Sequence, residues 1–325
     1  MAFADERSFD VSYYPGIDPA AATVYNDLPV VSFDDAAVAA SDRASDAIMD
    51  EAVAMLAGKP TVNHGFFDLT PSTYDRPFFN AVLKLDNLER IFERIDVVPR
   101  EEIGYLINLA VLAQAIVLAL VVLLLPIVKS AATRPPVAMI LKSILYFAGL
   151  GIGFLFIEIY LIEKTAFYLN DRTYAFAIVL AAMLVFSGLG SMLANRYYAR
   201  PRRGIMIAFI VVAIWCALAF VGLAKLMTAT LALPWIARAL IILALTAPVS
   251  IALGLPFPLG LAQFRGRSSS FLPWAWSLNG AFSVISTPLA NLIAMTAGLK
   301  ILALLAAGLY LVVLASFPSD RHEKT

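Results

Sequence analysis

Charged side chains inside apolar stretches are the first candidates for chemistry in this chain. Glu158 interrupts an otherwise apolar run from residue 143 to residue 162. Carboxylates in such segments are rare and usually face a protein interior or a water-filled cavity, so Glu158 is a candidate for proton or solute transfer. The alternative is a protonated or hydrogen-bonded glutamate that fixes helix packing. Glu163 lies about 140° further around a helix, so the two carboxylates do not form one paired acid and base.

A polar stripe in a later apolar segment is the second candidate. The polar residues predicted to share one helix face are Asn279, Ser283, Ser286 and Thr287, with Asn291 further round. Such a stripe can line a cavity, or it can hold helices together, because Asn, Ser and Thr side chains hydrogen-bond between helices in lipid. We favour the second interpretation. The candidate intramembrane polar site comprises Glu158, Asn279, Ser283 and Thr287.

Two short motifs have structural interpretations. Asp75-Arg76-Pro77 predicts a turn, because proline fixes its own φ angle and forces the preceding residue into an extended conformation. A pairing of Asp75 within the chain would contribute little if it were exposed. The glycines at positions 149, 151 and 153 lie in an apolar segment with no preceding strand. They therefore predict a small-residue face for close helix packing, not a cofactor loop.

Other residue types give no catalytic, cofactor or metal site. His64 and His322 are far apart in sequence, and neither lies near Cys, Asp or Glu residues at metal-ligand spacing, so we predict no metal. Cys216 is the only cysteine and falls in an apolar segment, which excludes disulfides. A basic cluster indicates membrane topology and anionic lipid, not nucleic acid; its members are Arg196, Arg200, Arg202 and Arg203.

Composition identifies the elements that must position these residues. Of 325 residues, 61% are hydrophobic and 15% are charged, whereas a soluble domain is about 45–50% apolar and about 25% charged. The 24 basic and 24 acidic residues are unevenly distributed: 19 acidic and 8 basic residues occur up to Glu102, and 5 acidic and 16 basic residues follow it. The zero net charge thus divides into −11 and +11. A single water-soluble globule is excluded.

Seven apolar stretches are long enough for membrane helices, which need roughly 20 residues each. They lie near residues 103–128, 141–162, 174–195, 204–224, 237–257, 274–296 and 299–317. Only Thr296-Ala297-Gly298 separates the last two, so a tight hairpin and a re-entrant pair are both open. Prolines at positions 248, 256 and 258 are expected to break or end the fifth helix. Loop charges of eleven against eight leave the orientation in the membrane undecided.

The acidic segment 1–100 predicts an incomplete α/β unit. A strand is predicted from Phe9 to Tyr14, ended by Pro15-Gly16, and helices are predicted over 34–40 and 46–57. An amphipathic helix over 78–95 either lies along the membrane interface or packs on its own domain. One strand cannot satisfy its own backbone groups, so we expect its partner strands elsewhere. The predicted domains are residues 1–100, a transmembrane domain over 101–318, and a polar tail over 319–325.

Several segments, in order, carry a resemblance to a known family. They are Phe9-Asp10 with Tyr14-Pro15-Gly16, Asp75-Arg76-Pro77-Phe78-Phe79, GIGFLFIEI at 151–159, Thr173-Tyr174, FSGLGS at 186–191, GLPFPLG at 254–260 and PWAWSLNG at 273–280. The chain resembles the polytopic bacterial membrane proteins in which a spermidine-synthase-like, S-adenosylmethionine-dependent methyltransferase-type domain is fused to membrane helices. The resemblance implies that residues 1 to about 80 form the tail of the α/β domain. The remainder would be the C-terminal membrane block, in the bacterial inner membrane.

The resemblance also bears on the cofactor. In the family, the cofactor is held by a glycine-rich turn and an acidic residue that lie upstream of the portion resembled here. The resemblance therefore implies no cofactor in this chain, and an S-adenosylmethionine-type ligand only if a partner supplies the rest of the domain.

The sequence thus predicts an α-helical polytopic membrane protein of about seven transmembrane helices, preceded by a small α/β segment. Our preferred hypothesis is a membrane subunit or anchor without a complete catalytic site, working in a complex with another chain. One alternative is a small-solute or proton-coupled transporter that uses Glu158 and the polar face of the sixth helix. Another is an aminopropyl or methyl transferase completed by a partner chain. The expected partners are the lipid bilayer and another protein chain, with no nucleic acid.

Overall fold

The computed structural model describes residues 103–129, 137–265 and 271–318, and shorter stretches at 2–9, 16, 56–58, 72–78, 83–84 and 88–89. The chain divides into two compact units. One comprises Met1–Ser72 and Phe78–Tyr105, and the other comprises Thr73–Pro77 and Leu106–Thr325. The described part of the first unit contains helix α1 (Ala2–Glu6). The predicted strand and the helices predicted over 34–40, 46–57 and 78–95 lie outside the described residues, apart from isolated positions.

Seven helical segments of the described chain are long and apolar enough to cross a membrane, which confirms the predicted number. They are Ile103–Val121, Met139–Leu169, Arg172–Tyr197, Pro201–Ala229, Trp235–Phe264, Trp274–Ala297 and Leu299–Ser316. The protein is therefore a multi-pass α-helical membrane protein. Its long helices are α2 (Ile103–Lys129), α3 (Val137–Leu169), α4 (Arg172–Leu193), α5 (Pro201–Leu218), α7 (Trp235–Gly254), α9 (Phe271–Ala297) and α10 (Leu299–Ser316); shorter are α6 (Ala224–Ala229) and α8 (Pro256–Arg265).

The second span is longer than the sequence predicted, because α3 continues to Leu169. It ends where Asn170 adopts a positive φ of 55°. Asp171 then caps α4 by accepting a hydrogen bond from the Tyr174 backbone N–H at 2.9 Å. The helix continues through Glu163 and Lys164 because both side chains have polar partners. Glu163 accepts from Arg172, and Lys164 donates to the Tyr74 carbonyl.

Irregular turns divide the fourth and fifth spans. A π-helical turn, Ala219–Leu223, joins α5 to α6. In the fifth span, α7 contains Pro248 and ends at Gly254, and α8 begins at Pro256, so the predicted break is confirmed. The Tyr146 hydroxyl of α3 donates to the Pro256 carbonyl at 2.6 Å, so a bond from another span is made directly at the break.

Glycines let α3 pack closely against two other spans. A Cβ atom added at Gly149 or Gly153 would lie 2.9 Å from side-chain atoms of Val313 or Tyr310 on α10. At Gly151 it would lie 2.7 Å from the Asn279 backbone carbonyl on α9. The predicted small-residue packing face is therefore confirmed. It has two sides, and α3 contacts both α9 and α10.

A similar close approach joins α4 to α7. A Cβ atom at Gly190 would collide with the Ile251 backbone, and one at Gly254 would collide with the Ser187 backbone. Small residues thus bring these two helices into backbone contact, as is common between membrane helices.

The glycine contacts predict that Gly151→Leu destabilises the bundle. The new side chain would meet a helix backbone that cannot rotate away, and overpacking of this kind costs about 1–3 kcal/mol. Gly280→Leu on α9 is the matched control, because an added Cβ there meets nothing within 4 Å. Thermal unfolding of both variants in detergent should show a lower midpoint for Gly151→Leu alone. Equal midpoints would contradict the close packing of α3 on α9.

Candidate functional site

The turn predicted at Asp75-Arg76-Pro77 is present and belongs to the membrane unit. The Thr73 N–H donates to the Arg76 carbonyl at 3.1 Å, and the Arg76 N–H donates to Thr73 Oγ1 at 3.1 Å. These two bonds close the turn, and they direct the Asp75 side chain and carbonyl toward the start of α10.

Asp75 caps the N-terminus of α10. Its backbone carbonyl accepts from the Leu299 N–H at 2.9 Å, and its Oδ1 accepts from the Lys300 N–H at 2.9 Å. The first N–H groups of a helix have no partner within the helix, and here the residue at the cap position is Gly298, which has no side chain to offer. A carboxylate at this position is also favoured by the positive end of the helix dipole. Asp75 therefore supplies a cap from a distant part of the sequence.

Gly298 is required by the same contact. Its φ of 93° lies in the left-handed region that favours glycine. An added Cβ would also lie 2.7 Å from Asp75 Oδ2. Only Gly298 thus separates α9 from α10, and Asp75 packs against this glycine.

Tyr74 holds the turn to two other spans, the second and the fourth. Its hydroxyl donates to Met227 Sδ at 2.9 Å, and its ring meets the Phe167 ring edge-on at 6.4 Å. Lys164 donates to the Tyr74 carbonyl at 2.6 Å and lies 4.1 Å from the centre of its ring. Partial burial, with a smaller effect from Tyr168, raises the pKa of Tyr74 to about 12. The phenol therefore stays protonated at neutral pH and remains a donor.

A second polar network lies where α3 ends and where α4 and α7 begin. Arg172 donates to Glu163 at 2.7 Å, and the Tyr168 hydroxyl lies 2.7 Å from Thr230 Oγ1. Arg238 donates to the Tyr168 carbonyl at 2.6 Å. Arg172, Glu163 and Arg238 are therefore used in contacts within the protein.

Glu158 is placed differently from Glu163. Its side chain is half-buried in α3, and it makes no hydrogen bond or ion pair with any residue that the structure describes. It lies seven residues from Gly151, which is about 10 Å along the helix and on nearly the same face. Glu158 and Glu163 are thus separate features, as the sequence indicated.

The residues of the polar stripe on α9 fall into different environments. Ser286 donates to the Ile152 carbonyl of α3 at 3.2 Å, which is a hydrogen bond between helices. Ser283 donates to the Asn279 carbonyl of its own helix at 2.8 Å, and both residues lie beside Gly151. Thr287 is exposed on the outer surface. The structure therefore places Asn279 and Ser283 against α3 but does not bring Thr287 to them.

Sequence reasoning did not single out several of the residues at these sites. The capping contact needs Gly298 and the N-terminus of α10, and the contact with Tyr74 needs Lys164. Two buried hydroxyls on α7, those of Thr246 and Ser250, have no hydrogen-bond partner among the described residues. Their spacing of four residues in an apolar span was the available signal, because i and i+4 residues share a helix face.

Comparison of the chain with protein-family models, with curated proteins and with solved structures finds no match. The resemblance to the spermidine-synthase-like membrane proteins therefore stays an expectation.

The capping contact predicts a local effect of Asp75→Ala. Loss of a cap costs about 1 kcal/mol, which corresponds to roughly fivefold faster hydrogen exchange if the amide opens locally. Hydrogen exchange measured by mass spectrometry in detergent should therefore accelerate in peptides that contain the Lys300 amide.

Two controls accompany this measurement. Asp75→Asn retains an oxygen acceptor and should show a smaller change, and Ser72→Ala, at an exposed neighbouring position, should show none. Unchanged exchange in Asp75→Ala would contradict the cap.

Proposed function

We propose that the protein is an integral membrane anchor that holds an extramembrane component at a fixed position on the bilayer. The proposal rests on one observation: Thr73–Pro77 belongs to the membrane unit. This short segment interrupts a chain whose flanking parts, Met1–Ser72 and Phe78–Tyr105, form the other unit. The extramembrane chain is thus attached to the bundle at an internal point as well as where it leads into α2.

The internal attachment uses several modest interactions. Asp75 accepts two backbone hydrogen bonds, Tyr74 donates one to Met227, and Lys164 donates one to Tyr74. Each hydrogen bond of this kind contributes about 1 kcal/mol. A segment held to the bundle by several bonds in this way is what an anchor requires.

The extramembrane segment is also suited to a protein partner. It carries 19 acidic and 8 basic residues up to Glu102, which favours association with a basic surface. It offers one strand signal without a partner strand. The family resemblance supports a partner chain that completes or covers an α/β domain, and the bacterial inner membrane as the location. In the most specific version of this proposal, the completed assembly is an aminopropyl or methyl transferase.

The anchor proposal is tested by co-expression with the product of the neighbouring gene. The full chain, purified in mild detergent, should co-elute with that product at a fixed stoichiometry on size exclusion. Calorimetry should detect no S-adenosylmethionine binding by the chain alone. Asp75→Ala should weaken retention of the partner, and Ser72→Ala should not. Binding of S-adenosylmethionine by the isolated chain would contradict the incomplete site, and failure to form a complex would contradict the subunit role.

A second candidate function rests on unpartnered polar groups within the bundle. Glu158 is half-buried, and the hydroxyls of Thr246 and Ser250 are fully buried, yet none has a partner among the described residues. Polar groups of this kind inside a membrane protein are usually satisfied by water or by a transported species. This observation favours a proton-coupled or small-solute transporter as the alternative.

Reconstitution in vesicles tests the transporter. If Glu158 carries protons, vesicles containing the protein should dissipate an imposed pH gradient, and Glu158→Gln should abolish this flux. Glu163→Gln is the matched control, because its amide oxygen can still accept from Arg172. A flux that is absent in the natural protein, or that survives in Glu158→Gln, would exclude uncoupled proton transfer through Glu158.

A further inference from the structure

Two cavities adjoin along one side of the bundle, between the fourth and fifth spans. The first, of about 220 Å³, is lined by residues that include Arg196, Tyr197 and Val211. The second, of about 370 Å³, is lined by residues that include Trp215, Gly222 and Ala244. Pro248 lines both cavities. We call them together the α5–α7 groove; apart from its Arg196 end, its lining is predominantly apolar.

Helix irregularities on both sides create the groove. The π-helical turn Ala219–Leu223 widens the fourth span, and Gly222 within it leaves open space where a side chain would otherwise project. On the opposite wall, Pro248 interrupts the hydrogen bonding of α7. Trp215 Nε1 donates to the Leu245 carbonyl at 2.9 Å, one turn before the proline. The polar atom of the indole is thus satisfied.

The groove is about as long as the membrane is thick. Its lining on the fourth span runs from Ile207 to Leu226, which is about 28 Å at the rise of an α-helix. The hydrocarbon core of a bilayer is about 30 Å thick, so the acyl chains of one leaflet span about half of that. The stretch of the groove from Ile207 to Trp215 is about 12 Å long by the same rise, and its apolar lining matches the acyl chain of one lipid.

Unneutralised cations lie at one end of the groove. Arg196 lines it, and Arg200, Arg202 and Arg203 follow within seven residues. All four side chains are exposed, and none of the four guanidinium groups makes a hydrogen bond or ion pair with the residues that the structure describes. The sequence contains no Asp or Glu from Arg172 to Ser319. The chemical complement of this end is therefore an anionic group from outside the spans.

We propose that the α5–α7 groove is a binding site for an anionic phospholipid. One acyl chain lies in the groove past Val211 and Pro248 toward Trp215, and the lipid phosphate meets Arg196. The polar end and the apolar length of the groove together select a phospholipid over a free phosphate ion, which would leave the groove empty. They also select it over a zwitterionic lipid such as phosphatidylcholine, whose phosphate carries a tethered cation and therefore does not neutralise the basic cluster. The site is independent of the anchor function proposed above.

Fluorescence quenching by brominated lipids tests this site directly, because Trp215 lies in the groove. The reporter is the full chain with Trp235, Trp274 and Trp276 replaced by Phe, in phosphatidylcholine vesicles. Brominated phosphatidylglycerol should quench Trp215 at lower mole fractions than brominated phosphatidylcholine does. A preference of about fivefold is expected from one basic residue near the membrane surface.

Matched variants separate the groove from general lipid contact. Val211→Phe should fill the part of the groove beside Arg196 and remove the preference. Val185→Phe should leave it, because Val185 is exposed on the neighbouring α4 but does not line the groove. Arg196→Gln should reduce the preference more than Arg202→Gln, which removes the same charge in the same cluster. Native mass spectrometry of the natural chain, Val211→Phe and Val185→Phe from mixed-lipid nanodiscs provides a readout that does not need the Trp replacements.

Three outcomes would overturn the proposal. Equal quenching by the two lipids would show that the groove does not select an anionic headgroup. Equal effects of Arg196→Gln and Arg202→Gln would assign the preference to the surface potential of the whole cluster. Unchanged phosphatidylglycerol retention in Val211→Phe would place the bound lipid elsewhere.

Discussion

The need to satisfy backbone polar groups in lipid determines where the spans contact one another. A helix satisfies its own N–H and C=O groups except at its ends and at prolines. Asp75 reaches such a point from a distant part of the chain, because it caps the start of α10. Other side chains bond to carbonyls within helices: Trp215 donates to the Leu245 carbonyl of α7, and Asn108 donates to the Pro288 carbonyl of α9, each at 2.9 Å. Polar side chains thus join the spans both at a helix end and along the helices.

Close packing determines which of these contacts can form. Apolar burial cannot draw helices together in lipid, so small residues and shape complementarity contribute more. The glycines of α3 bring it against α9 on one side and α10 on the other, and the Ser286 hydroxyl can then reach the Ile152 carbonyl. With α9 and α10 both fixed to α3, their junction at Gly298 has a defined position. The docking of Asp75 depends on that position.

The sequence predicted the features that depend on local composition. It did not predict the contacts between residues that are distant in sequence. The number of spans followed from apolar length, and the break after Gly254 followed from proline chemistry. The end of α3 was misplaced at residue 162, because Glu163 and Lys164 obtain partners from Arg172 and Tyr74 that no local pattern reveals. Asp75 and Lys300 are 225 residues apart, so their contact could not be predicted.

For the candidate site, helical spacing grouped Thr287 with Ser286, but their neighbours differ: Ser286 is buried and Thr287 is exposed. The small α/β segment stays a prediction.

The two ends of the membrane unit use their charges in different ways. At the Asp75 end, Arg172 contacts Glu163, and Lys164 and Arg238 donate to backbone carbonyls. At the other end of α4, the guanidinium of Arg196 has no partner within the described chain. Cations that are paired inside the protein contribute little to attraction at the surface, whereas unpaired cations attract anions. The excess of eleven positive charges after Glu102 is therefore not spread evenly over the bundle. Arg172, Lys164 and Arg238 hold the chain in place at one end, whereas Arg196 is unpaired within the described chain at the other, so the two proposals concern opposite ends of the membrane unit and can be tested separately.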